Sequence, residues 1–78
     1  REVGNYANAI ELINKGIRLG TPSYLPGFYD ELGVIYLKMN NFQAAQTAYN
    51  KVLEISPNYY DTHYMSDLRF IFQSMKKE

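Results

Sequence analysis

The chain repeats itself. Asn5-Tyr6, Ala9, Ile13 and Thr21-Pro22 recur about 36 residues later as Asn41-Phe42, Ala45, Tyr49 and Ser56-Pro57. A repeat of this length is one supersecondary unit that cannot cover its own apolar face, so copies stack and bury it between them. Between the two copies lies a stretch of different pattern, with Tyr29, Leu32-Gly33 and Tyr36 at fixed spacing. Two kinds of element therefore alternate along the chain.

Both kinds read as helices. About residues 5–19, Tyr6, Ala9, Ile10, Ile13 and Ile17 return at three- and four-residue steps and mark one apolar face. Gly16 on that face predicts close approach of a neighbouring backbone, and Gly20, Thr21 and Pro22 end the run. About residues 24–39, Pro26 stands in the first turn, and Phe28, Tyr29, Leu32, Val34, Ile35, Tyr36 and Leu37 surround the axis, which predicts burial on more than one side. Asn40-Asn41 supplies the left-handed residue of a tight turn, so the next helix returns antiparallel. About residues 41–55, Phe42, Ala45, Tyr49, Val52 and Leu53 oppose Gln43, Gln46, Asn50 and Glu54, and Ser56-Pro57-Asn58 stops the run. A last helix is expected over about 59–76, with Tyr60, Tyr64, Leu68, Ile71 and Met75 on one stripe and Lys76-Lys77 at its C-terminal end. No stretch alternates like a strand. The expected fold is all-α, an antiparallel helix-turn-helix α-solenoid of about four helices.

Residues 26–59 resemble one complete tetratricopeptide repeat, a unit of 34 residues. The likeness rests on Tyr29, Leu32-Gly33 and Tyr36 in the first helix and on Ala45, Tyr49, Val52 and Pro57 in the second. Lys51 to Asn58, Lys-Val-Leu-Glu-Ile-Ser-Pro-Asn, is similar to the family's usual close. Tyr29 replaces the commoner Trp, Asn40 the inter-helix Gly, and Val52 the usual Ala. The resemblance implies that these eight residues pack the repeat, with Gly33 and Ala45 where the paired helices come closest. It makes residues 5–22 the second helix of a partial repeat. Residues 60–77 become a capping helix or degenerate repeat, because Asp67 and Leu68 stand where the family has Leu and Gly. The helix order is B-A-B-cap within one domain, 1–78. With Arg rather than Met at position 1, the chain reads as a piece of a longer protein whose preceding helix lies upstream.

Composition removes several function classes. Lys+Arg and Asp+Glu number eight each, so no net field steers the chain to nucleic acid or an anionic membrane. The absence of Cys excludes thiol nucleophiles and zinc ribbons, and no apolar run reaches the roughly 18 residues of a membrane span. His63 and Asp67 would share a helix face, but two ligands are too few for a metal, and they read as a solvated or capping pair. Adjacent Asp30 and Glu31 point about 100° apart and read as solvated charges near a helix N-terminus. No phosphate-cradling loop, nucleophile elbow or second His is present, so neither catalysis nor a cofactor is expected. The eight tyrosines lack the interleaved cations of a base-stacking platform.

A solenoid works through its concave face. By resemblance to the family's groove positions, that face shows Gly27, Asp30, Val34, Leu37 and Lys38. Asp30 and Val34 cannot hold a peptide carboxylate, so the carboxylate clamp of the family's chaperone-binding members is not expected. Val34 and Leu37 suggest an apolar groove for a peptide or protein partner with Lys38 at its rim, or else they pack against the last helix. The second reading of the whole chain is structural: a piece of a longer scaffold that self-associates through its unpaired N-terminal helix or packs on further repeats.

Overall fold

The computed structural model describes residues 3–20 and 22–76. Their regular structure is wholly helical: α1 (Val3–Leu19), a 3-10 turn (Pro22–Tyr24), α2 (Leu25–Lys38), α3 (Phe42–Ile55), α4 (Tyr59–Thr62) and α5 (Asp67–Lys76). Thr21, Lys77 and the side chains of Pro22, Met75 and Lys76 lie outside the described part, so their expected roles at helix ends and on the last stripe are not addressed. The fold is the all-α helical-repeat architecture that the sequence implies, with α2 at its centre against α1, α3 and α5.

The α2–α3 turn is built by its two asparagines. Asn40 takes the left-handed backbone at φ 62°. Its N–H bonds the Leu37 carbonyl at 2.9 Å and that of Asn41 bonds the Tyr36 carbonyl at 2.9 Å, which satisfies two carbonyls at the end of α2. Asn41 Oδ1 then accepts the N–H of Ala44 at 3.2 Å and caps α3. One residue thus stops a helix and the next starts its antiparallel partner.

The core gathers Leu32, Ala45, Ala48, Tyr49, Val52, Tyr60, Leu68 and Phe72, with Ala45, Val52 and Leu68 fully sealed. The Tyr49 ring is its hub, stacked against Tyr60 at 5.6 Å and Phe72 at 5.3 Å between centroids. Gly33 is buried, and a Cβ added there would stand 2.6 and 2.8 Å from the two Leu68 methyls and 3.2 Å from Ala48 Cβ. The close approach expected of Gly33 is therefore real, but its nearest neighbours are Ala48 and Leu68 rather than Ala45. Tyr29 and Tyr36 are half-buried and line a hollow of about 440 Å³ with Leu32, Ala44, Thr47, Ala48 and Lys51. Phe42 and Pro57, expected in the packing, are exposed. Pro57 stands in the turn after α3.

The expected last helix is broken. Thr62, His63 and Ser66 each direct a side chain to nearby backbone and offer it an alternative to the helical ladder. Thr62 Oγ1 donates to the Tyr59 carbonyl at 3.4 Å, His63 Nδ1 reaches the same oxygen at 2.9 Å, and Ser66 Oγ accepts the N–H of Leu68 at 3.1 Å. The break resets the helical phase. Leu68 and Phe72 point inward, whereas Tyr64, placed on the inner stripe by sequence, is 58% exposed.

Helix α1 carries the expected stripe, with Tyr6, Ala9, Ile10, Ile13 and Ile17 all half-buried, but none of its described side chains belongs to the sealed core. It is held by an aromatic clasp. A Cβ on Gly16 would lie 3.1 Å from Phe28 Cζ, and one on Gly20 would lie 3.0 Å from Phe28 Cε2. The space that Gly16 leaves thus admits a ring from α2, where the sequence suggested a backbone.

Candidate partner-binding groove

Helix geometry places Asp30, Val34 and Leu37 on one stripe of α2, spaced by four and three residues, with Lys38 beside it four residues after Val34. The structure sets α5 beside that stripe in parallel register. Asp30 meets Ser66, Gly33 meets Leu68, and Val34, Leu37 and Lys38 face Asp67, Phe70 and Ile71 across a cleft of about 250 Å³. Val34, Leu37 and Ile71 are partly buried against the core and form the floor, while Phe70 stands 62% exposed as a wall. Val34 and Leu37 thus pack toward the last helix and still line an open cleft. Lys38 and Asp67 are exposed at opposite ends.

Asp30 is set apart from the other three. It is half-buried, and its Oδ1 accepts the Tyr60 hydroxyl and, at 2.7 Å, the Ser66 hydroxyl. Ser66 in turn caps the N–H of Leu68, so one carboxylate ties α2 to α4 and to the start of α5. The expectation that Asp30 is a freely solvated groove charge is corrected by these bonds, which need a partner 30 and 36 residues away. Glu31 is exposed as expected.

The same contacts move two phenols. Burial, then the bond to Asp30 and its charge, then the neighbouring Tyr59 and Tyr49, push the Tyr60 hydroxyl well above its ordinary 10.0. Tyr59 is raised in the same direction by burial and by the charges of Asp30 and Glu31. A phenol whose folded pKa is raised stabilises the fold fully below pH 10 and loses that contribution as pH rises, because the unfolded chain gives up its proton first. Stability is therefore expected to fall above about pH 10, by up to about 1.4 kcal/mol per pH unit for each phenol held neutral. Urea melts across pH 8–11 check this, and Tyr60→Phe should flatten most of the slope.

His63 does not face Asp67 on a common helix, because the break at 63–66 separates them. Its ring lies on that of Tyr59 with centroids 3.9 Å apart and planes 1° from parallel. Nδ1 is 2.9 Å from the Tyr59 carbonyl, which can only accept, so that nitrogen carries the proton. Among the described residues, no three His, Cys, Asp or Glu side chains gather as a metal site, and no helix is long and apolar enough to cross a membrane.

Sequence reasoning missed the α5 wall, Asp67 and Phe70. The only signal was the apolar spacing of Leu68, Ile71 and Phe72, which a phase carried through from Tyr60 misaligns.

Helices α2 and α3, joined by a three-residue turn and closed through small residues, define a helical-hairpin repeat of the α-solenoid class. Family comparison matches the tetratricopeptide repeat over residues 31–59, from the middle of α2 through α3 to the first residue of α4. Over that span the chain is similar to the tetratricopeptide repeat, a family of protein-interaction repeats without catalytic function. No curated protein and no solved structure matches the chain.

Proposed function

We propose that this segment is a protein-interaction module that binds a partner protein or peptide in the α2–α5 groove, without catalysis. The observation that carries the reading is the exposed Phe70 ring set opposite Val34 and Leu37, a concave apolar surface with a charged group at each end. Because Phe70 contributes little to the core, Phe70→Asp should change folding stability by no more than about 0.5 kcal/mol. The same change puts a desolvated carboxylate in the groove and should abolish capture of proteins that the wild-type chain retains. Capture followed by mass spectrometry tests this, and retention of the same proteins by Phe70→Asp counts against the groove.

A second reading is that the chain is a structural piece of a longer solenoid that self-associates or packs on further repeats. It is favoured by α1, whose apolar stripe is only half-buried while Leu12 and Leu19 are 69% and 75% exposed. Sedimentation velocity of the 78-residue chain at high micromolar concentration should then show a mass that grows with concentration. A monomer throughout removes self-association.

A further inference from the structure

The groove has a direction. Helices α2 and α5 run the same way, because the contacts ascend together from Asp30 and Ser66 to Gly33 and Leu68. Lys38 closes α2 at its C-terminal end, five residues and about 7.5 Å beyond Gly33. Asp67 opens α5 at its N-terminal end, one residue before Leu68. A positive and a negative group therefore bracket the apolar floor along its axis, separated by about two turns of helix. Neither is in an ion pair among the described residues.

The chemistry of the floor selects the occupant's conformation. Val34, Leu37, Phe70 and Ile71 offer no side-chain donor or acceptor, so an extended strand laid on them would leave backbone groups facing apolar walls. A helix satisfies those groups internally. Its direction follows from the dipoles. α2 and α5 point the same way, so a third helix between them is favoured when it runs opposite. That direction puts its N-terminus at Lys38 and its C-terminus at Asp67. Acidic residues belong at the former end of a helix and basic residues at the latter, so the rim charges and the occupant's own dipole ask for the same order.

We propose that the occupant is an amphipathic helix of a partner protein that lies antiparallel to α2, with an acidic side chain near its N-terminus against Lys38, apolar side chains three and four residues later, and a basic side chain two turns on against Asp67. This rests on the groove reading above and adds the partner's conformation, polarity and charge order.

The test uses two capped synthetic peptides of about 14 residues and identical composition, long enough for about four turns. One carries Glu, two Leu and Arg in that order at the spacing just given, and the other exchanges Glu and Arg. Fluorescence anisotropy with the 78-residue chain should show tighter binding of the first by about ten-fold near 20 mM salt, and the gap should narrow near 500 mM as the charges are screened. In the double variant Lys38→Glu with Asp67→Lys, both surface positions, the preference should reverse. If that variant does not fold, Lys38→Gln with Asp67→Asn should erase the preference instead. Equal binding of both peptides overturns the polarity; if Phe70→Asp abolishes that equal binding, the groove itself stands, and if it does not, the groove falls too. Tighter binding of a proline-interrupted version of the first peptide overturns the helical conformation, and no binding of either peptide overturns the proposal.

Discussion

Leu68→Ala is expected to cost about 2–5 kcal/mol, enough to detach α5 from the rest of the fold. Leu68 is fully buried, and its two methyls fill the space that Gly33 leaves open on α2. Truncation removes that apolar burial and leaves a cavity that a helical hairpin, already closed through Ala45 and Ala48, can only partly collapse into. A domain of this size holds on the order of 4–12 kcal/mol in total, so the loss is a large fraction. Because α5 is short and follows a turn, it should unfold before α2 and α3. Chemical melts followed by circular dichroism should then show a lower midpoint with early loss of helix signal, and amide exchange should rise first in α5. Phe70→Ala on the same helix, at a 62% exposed residue, is the control and should move the midpoint little. A change below about 1 kcal/mol for Leu68→Ala would show that α5 does not depend on this contact.

The second large effect comes from the other side of the same contact. Gly33→Leu should destabilise by about 3 kcal/mol through overpacking. A branched side chain has no room where even a Cβ would lie 2.6 Å from one Leu68 methyl and 3.2 Å from Ala48 Cβ. The Leu68 methyls are the mobile end of their side chain, but full burial denies them an alternative position. Ala48 cannot yield without moving α3. Gly33→Ala is the informative smaller change, since helix propensity gains about 1 kcal/mol while the new Cβ collides with Leu68. Combining it with Leu68→Ala removes the collision and releases the propensity gain, so the double variant should be more stable than the sum of the singles by about 1 kcal/mol. Additive behaviour would separate the two residues and would falsify the contact.

A mutation at either partner also bears on the groove, because Val34 and Leu37 face Phe70 and Ile71 only while Leu68 stays seated on Gly33. The packing contact and the candidate binding surface are thus two levels of one interface between α2 and α5. Asp30 fixes its lower end through Tyr60 and Ser66. The pH dependence expected of Tyr60 and the detachment expected of Leu68→Ala should therefore both report on α5.

What the sequence determined by itself is whatever depends on near neighbours in the chain. The helical class, the left-handed Asn40, the antiparallel return into α3 and the membership of Ala45, Tyr49 and Val52 in the core all follow from periodicity and turn chemistry within a few residues. The stripe of Asp30, Val34, Leu37 and Lys38 on α2 came instead from the resemblance to the family's groove positions. Three things were decided by tertiary contact. The last helix breaks where Thr62, His63 and Ser66 turn to local backbone, and the new phase sends Leu68 and Phe72 inward and leaves Tyr64 outside. Asp30 becomes a structural acceptor only because Tyr60 and Ser66, 30 and 36 residues away, arrive beside it. Asp67 and Phe70 become a groove wall only because Gly33 lets Leu68 seat and fixes the height of α5 against α2. In each case the deciding partner is remote in sequence, and a periodic pattern carries no record of the rotation and height at which two distant helices meet.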